Sequence, residues 1–313
     1  AYHVIGNDPA HGMRMAEGTA WWVVPRLLDA IQMPLFAFVS GWVFSIPTGD
    51  VGRFRAALGR KLLRLALPMA SVSLFYLALA TATGKAEGRG VLDVLVLPYQ
   101  HLWYLQASLW LVAVAALGSL AFAGRPLAFA GVGLAVSLIL FLPVPRLAPN
   151  PLAIEQAIYL APFFFAGRLM RAAESEAFLR ASSTRFAVAF AGTTIVALAA
   201  AVVTFAIFRA GGAEATPMQT APAFVFAVAA AVILMLLRPR SRLVEAIGAR
   251  SFGIYLFHVV FAAATREVVV KLVPGIASPV LFVVVFTVAV AAPYLLHGLL
   301  LRNRWSALIF LGE

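Results

Sequence analysis

Nine uninterrupted apolar runs dominate this chain, each close to the ~20 residues that a helix needs to cross a hydrocarbon core of ~30 Å. They fall at about residues 20–47, 65–83, 100–122, 127–143, 151–170, 184–208, 219–237, 250–272 and 278–301. The run at 127–143 is the shortest and is expected to tilt little or to lie deep in a bundle. The runs are too long for strands and lack period-two alternation, which argues against a transmembrane barrel. With 63% hydrophobic and 12% charged residues, and a mean hydropathy of +0.94, the 313-residue chain has too little polar material to cover a water-soluble globule. The predicted fold is all-α, a polytopic transmembrane helix bundle. The opening AYHVIG reads as the tail of a further apolar segment, so most of a first helix is expected upstream of Ala1. It has no basic n-region or small-residue cleavage site of a signal peptide. No repeat, soluble insert or low-complexity linker interrupts the pattern, and residues 1–313 are read as a single domain.

Basic residues orient the bundle. One alternate set of loops carries Arg53, Arg55, Arg60, Lys61 and Arg64, then Arg125, then Arg168, Arg171, Arg180 and Arg185, then Arg238, Arg240, Arg242 and Arg250, then Arg302 and Arg304. The opposite set holds only Arg14, Lys85, Arg89, Arg146, Arg209, Arg266 and Lys271, with Arg26 inside a span. By the positive-inside rule the richer side, and the C-terminus with it, is cytoplasmic. This placement accounts for the net charge of +11 without a nucleic-acid partner; the partner is the lipid bilayer. The densest basic stretch, Arg53 to Leu67, is a topological anchor or a site for a polyanion.

The chain has no cysteine, and its 13 Asp and Glu are too few for a carboxylate cage, so no metal is expected. Chemistry must then use His, the few carboxylates, hydroxyls or backbone. Polar groups within apolar runs are the first candidates, because lipid penalises them. Arg26, Asp29 and Met33 share one helical face, as an inward ion pair or as a group that orients a catalytic residue. Pro34 can kink its helix, and Ser40 and Gly41 allow close helix approach. His101, Trp103 and Tyr104 open a span where aromatic residues commonly anchor to headgroups. Ser251, Tyr255 and His258 share a face, and His297 stands alone near the end of the last span as a structural residue. His3 stands near the exit of its apolar segment, which Gly6, Asn7, Asp8 and Pro9 end. A neutral imidazole there suits general-base chemistry on a hydroxyl, and equally a satisfied structural role.

Taken together, YH at the end of the first helix, MPLFAFVSGWVF, RKLLRLALP, HLWYL, YLAPFFFAGRLM and IGARSFGIYLFH resemble the acyltransferase 3 family over almost the whole chain. These are integral membrane O-acyltransferases, many of them O-acetyltransferases of bacterial polysaccharides and related extracytoplasmic acceptors. The resemblance implies that His3 is the essential first-helix histidine; the family's essential arginine of that helix falls before Ala1. It places the family's Arg-x-x-Arg pair on Lys61 and Arg64, with Arg60 adjacent, and its functional tryptophan on Trp103. Lys61 keeps the charge of the family's arginine but not the bidentate fork, so Arg60 or Arg55 would supply a planar contact. The implied donor is acetyl-coenzyme A or another acyl-coenzyme A bound through Arg60, Lys61 and Arg64, and the implied acceptor is a glycan or other hydroxyl compound outside the cytoplasm. The implied location is the bacterial cytoplasmic (inner) membrane. Asp8 or Asp29 would orient His3, while Trp103, His101, Tyr255 and His258 would position donor or acceptor. The competing class is a transporter or polysaccharide-export protein, in which Pro34, Pro162 and Pro293 would interrupt helices around a cavity.

Overall fold

The computed structural model describes residues 2–6, 12–13, 20–86, 88–141, 147–174, 182–211, 220–237 and 241–313. Asp8, and Arg14, Arg146, Arg180, Arg238 and Arg240 of the charge pattern, lie outside the described residues, as do the side chains of Arg26 and Arg209. No strand occurs among the described residues. The helices are α1 (Tyr2–Ile5), α2 (Ala20–Val43), α3 (Val51–Ala82), α4 (Val91–Val96), α5 (Trp103–Ala121), α6 (Pro126–Phe141), α7 (Ile154–Ala172), α8 (Ser183–Gly211), α9 (Ala221–Leu237), α10 (Arg242–Ala249), α11 (Ser251–Leu272) and α12 (Ser278–Leu300). Every apolar run is therefore a helix, as expected where lipid offers backbone groups no other partner. Helices α3, α5 with the turn that leads into it, α8, α11 and α12 are long and apolar enough to cross a bilayer. Leu28–Val43 of α2, α6 and α9 are shorter apolar helices. The 16 residues of α6 reach only about 24 Å, in keeping with the shortest predicted span.

Two expectations change. The basic stretch, helix-competent by its residues, does not stand apart from a span beginning near residue 65; it is the first half of the 32-residue α3. Asp50 supplies the reason, since its carboxylate accepts the Arg53 N–H at 2.6 Å and starts the helix ahead of good helix formers. Pro34, Pro162 and Pro293 do not break their helices, which run continuously through all three positions.

The described chain forms two compact units, Ala30–Arg238 and Ala1–Asp29 with Pro239–Glu313. In the first, α2 and α7 meet backbone to backbone. A Cβ at Gly41 would run into the Phe164 carbonyl, and one at Gly167 into the Phe38 carbonyl. The close approach anticipated from Ser40-Gly41 thus has Gly167 as its counterpart. Around it Phe141 stacks on Tyr159, both meet Phe163 edge to face, and Phe164 lies edge-on to Phe165, filling the space between α6 and α7. Phe44, Lys61 and Arg168 gather at one end of this unit, so the connection after α2 and the end of α7 share a side, as the charge alternation requires.

In the second unit α11 and α12 pack along their length, with His297 buried against Gly253. Arg250 donates to the Tyr294 carbonyl at 3.2 Å and covers its ring at 4.2 Å, tying the start of α11 to the end of α12. Val4 and Ile5 of α1 lie against Ala262, Leu281, Val285 and Ala289.

Overpacking a filled site costs about 1–3 kcal/mol. Gly167→Ala is expected to destabilise the detergent-solubilised protein by that amount. Gly59→Ala, in a helix where a Cβ meets nothing within 4 Å, is expected to stabilise it by up to about 1 kcal/mol. Thermal unfolding of the two variants measures both.

Candidate functional site

The helix carrying His3 has only four described residues and ends where Gly6 adopts φ 85°. Val4 and Ile5 are buried in the seam of α11 and α12, and His3 precedes them with its ring beside His258, centroids 5.1 Å apart. Tyr255 stands one turn before His258, at 6.5 Å between ring centres.

The surroundings of His258 define its chemistry. Nδ1 lies 3.0 Å from the Ile254 carbonyl and 2.8 Å from the Tyr255 carbonyl. Carbonyl oxygens only accept, so the proton resides on Nδ1 and the lone pair of the neutral ring on Nε2. The arrangement places an imidazole of fixed tautomer next to His3. His258 is seven residues into α11, roughly 10 Å from its start at Ser251. His3 therefore lies near that depth from the end of this unit that carries Arg250, and close to the end of its own helix at Ile5, as its sequence context suggested.

The segment after α1 is fastened as well. Met13 donates its N–H to the Ile5 carbonyl at 2.8 Å and is buried beside Val4 and Ile5. Arg266 of α11 donates to the Gly12 carbonyl and pairs with Glu267 at 2.7 Å. Gly12 has φ 59° and sits so close to Ile5 and Gly6 that no Cβ fits. Asp29, the other candidate orienter, is partly buried on α2. Arg266 was read from sequence only as a loop charge, and its span of 254 residues to Gly12 leaves no local pattern.

The remaining candidates belong to the other unit. Arg60 and Arg64 are exposed on α3, while Lys61 is partly buried with its ammonium 5.2 Å from the centre of the Phe44 ring. Arg168 covers the same ring at 5.0 Å and Phe129 at 5.1 Å, and donates to the Phe44 carbonyl at 3.0 Å. Ser40 and Tyr104 bring their hydroxyls to 3.4 Å, and Pro34 and Gly41 are buried in α2. His101 is only 6% exposed and packs edge-on against Tyr76, so it faces protein and not headgroups. Trp103 is half-buried, packs on the core of this unit and lies edge-on to Tyr104. Gln106, one turn on, donates to the carbonyls of Leu95 and Leu97 and fixes the approach to α5. Among the described residues no three His, Asp or Glu side chains gather as a metal-binding group.

Residues 1–298 match the family described as an acyltransferase domain. No curated protein and no solved structure matches the chain.

Removing a hydrogen bond from a charged donor costs about 1.5–3 kcal/mol, whereas an exposed ion pair is worth about 0–1. Arg266→Ala is expected to speed amide exchange at Met13 and lower the thermal midpoint. Glu267→Gln is expected to leave Met13 protected. Hydrogen exchange read by mass spectrometry on peptides containing Met13 separates the two.

Proposed function

This chain belongs to the acyltransferase 3 family of membrane acyltransferases, and from that premise we propose that it transfers an acetyl group from cytoplasmic acyl-coenzyme A to a hydroxyl of an extracytoplasmic acceptor, a glycan in the first instance. The family match runs through both compact units, which supports reading them as one transmembrane domain. The bacterial inner membrane, with the C-terminus in the cytoplasm, is the location that the loop charges support.

The observation that carries the reading is the His3–His258 pair, two imidazoles side by side where α1 docks through the apolar Val4 and Ile5. In the proposed step, His3 takes the proton of the acceptor hydroxyl as its oxygen attacks the thioester carbonyl. The tetrahedral intermediate collapses with cleavage of the C–S bond, and the imidazolium returns the proton to the departing thiolate. His258, its Nδ1–H engaged by backbone and its ring beside that of His3, would orient the His3 ring or stabilise its imidazolium. A variant of the step, in which His3 itself attacks and carries the acyl group as an acyl-imidazole, uses the same residues. A depth of roughly 10 Å from the Arg250 end suits a donor whose phosphates stay outside while its pantetheine arm reaches inward. Arg60, Lys61 and Arg64 are the proposed phosphate partners. Tyr255 would position the reacting groups beside His258, and Trp103 and His101 the donor or acceptor; Asp29 or Asp8 would orient His3.

General-base catalysis contributes about 10²–10⁴-fold. His3→Ala is therefore expected to lower acetyl transfer by at least about 100-fold while the thermal midpoint stays near wild type. A folded His3→Ala protein that transfers at the wild-type rate would remove His3 from the chemistry. Lys61→Ala with Arg64→Ala is expected to raise KM for acetyl-coenzyme A by about tenfold or more, since each lost charge-assisted bond is worth about 1.5–3 kcal/mol. An unchanged KM would return the basic stretch to a topological anchor.

A further inference from the structure

The proposal above leaves Arg168 and Arg171 unused, although they stand among the donor-binding candidates. Lys61 and Arg168 each approach the Phe44 ring to about 5 Å, at 5.2 and 5.0 Å, and Arg171, one turn further along α7, covers Trp42 at 5.8 Å. Three cations thus converge on the two aromatic residues that end the SGWVF segment. Among the described residues, no acidic side chain forms an ion pair with any of them. An aromatic face attracts a cation through its quadrupole, but the ring carries no net charge to balance Lys61 and Arg168.

Arg168 is the most constrained of the three. One terminal nitrogen is engaged by the Phe44 carbonyl at 3.0 Å. Its Nε is buried and has no hydrogen-bond partner among the described residues. That leaves the Nε–Nη2 edge, the side of a guanidinium that receives two oxygens of one anion, without an acceptor. A buried N–H lacking a partner is unfavourable unless an oxygen reaches it. The position of the guanidinium is set by backbone packing, since the residue directly before it, Gly167, lies against the Phe38 carbonyl.

We propose that Lys61, Arg168 and Arg171, set over Phe44 and Trp42, form a phosphate-binding site in which Arg168 is the bidentate ligand. This assignment rests on the donor reading above and deepens it. Lys61 departs from an Arg-x-x-Arg pair by lacking a planar fork, and Arg168 supplies that fork from α7 in place of Arg60 or Arg55. The exposed Arg60 and Arg64 then attract the anion at longer range, while Arg168 fixes it. The shared chemistry is a phosphate mono- or diester, which either coenzyme A or an anionic phospholipid headgroup provides.

Thermal stabilisation of the purified, delipidated protein by three probes tests the site: coenzyme A, pantetheine, which lacks every phosphate, and phosphatidylglycerol. For wild type and for Arg168→Ala, Arg168→Lys and Arg171→Gln, the midpoint concentration of each probe is measured. Arg168→Ala is expected to raise the coenzyme A midpoint by about tenfold or more, with the pantetheine midpoint unchanged. Arg168→Lys is expected to recover only part, and Arg171→Gln to weaken coenzyme A a few-fold. A phosphatidylglycerol midpoint that depends on Arg168 while coenzyme A does not bind wild type would uphold the phosphate site, assign it to lipid and reject the donor reading. Coenzyme A binding that is indifferent to Arg168, or a loss of coenzyme A and pantetheine alike, would overturn the site and leave the donor reading standing. Should Arg168→Ala fail to fold, the Arg168→Lys and Arg171→Gln midpoints decide the same question.

Discussion

The approach of α2 and α7 through Gly41 and Gly167 is the constraint on which the larger unit depends. Lipid tails are as apolar as the side chains that face them, so helices in a bilayer are held by close packing and not by expulsion of water. Where glycine removes the Cβ on both helices, their backbones come within reach of each other, and Phe38 and Phe164 contribute carbonyls to the contact. The aromatic cluster between α6 and α7 fills the remaining volume. The end of α2 and the end of α7 then arrive together. Trp42 and Phe44 come to lie under Arg171 and Arg168 because of a crossing made one helical turn away.

In the second unit the described residues of α1 are held by packing and by a hydrogen bond to the segment that follows them. Val4 and Ile5 bury themselves between α11 and α12, Met13 returns to close the end of the helix, and Arg266 fastens Gly12. This arrangement brings His3 beside His258.

The helical bundle was legible because lipid imposes length and continuity on its spans, and among the described residues the apolar runs are helices, five of them long and apolar enough to cross a bilayer. The boundary of α3 was legible only in part: Arg53 to Leu67 reads as helix-competent, but its charges hide that one helix runs from the Asp50 cap through the apolar run. Ser40 and Gly41 announced a close approach, but Gly167, more than a hundred residues on, carried no mark of being its counterpart. His3 gained meaning from the resemblance of the motifs taken together. His258 could be placed on a face with Tyr255, while its meeting with His3 is a tertiary fact that periodicity does not encode. Arg168 counted only as one more charge on the basic side, because which ring it covers depends on a helix crossing.

The central claim is that an acyl group leaves coenzyme A and becomes an oxygen ester on the far side of the membrane. The most direct measurement supplies acetyl-coenzyme A, carbon-labelled in the acetyl group, to the cytoplasmic face of envelope membranes containing the protein, and follows both the label and the free thiol. The account predicts one thiol released for each acetyl group that appears in an alkali-labile product accessible from the opposite face. Thiol release without such a product, or export of a glycan with no consumption of the thioester, would contradict it.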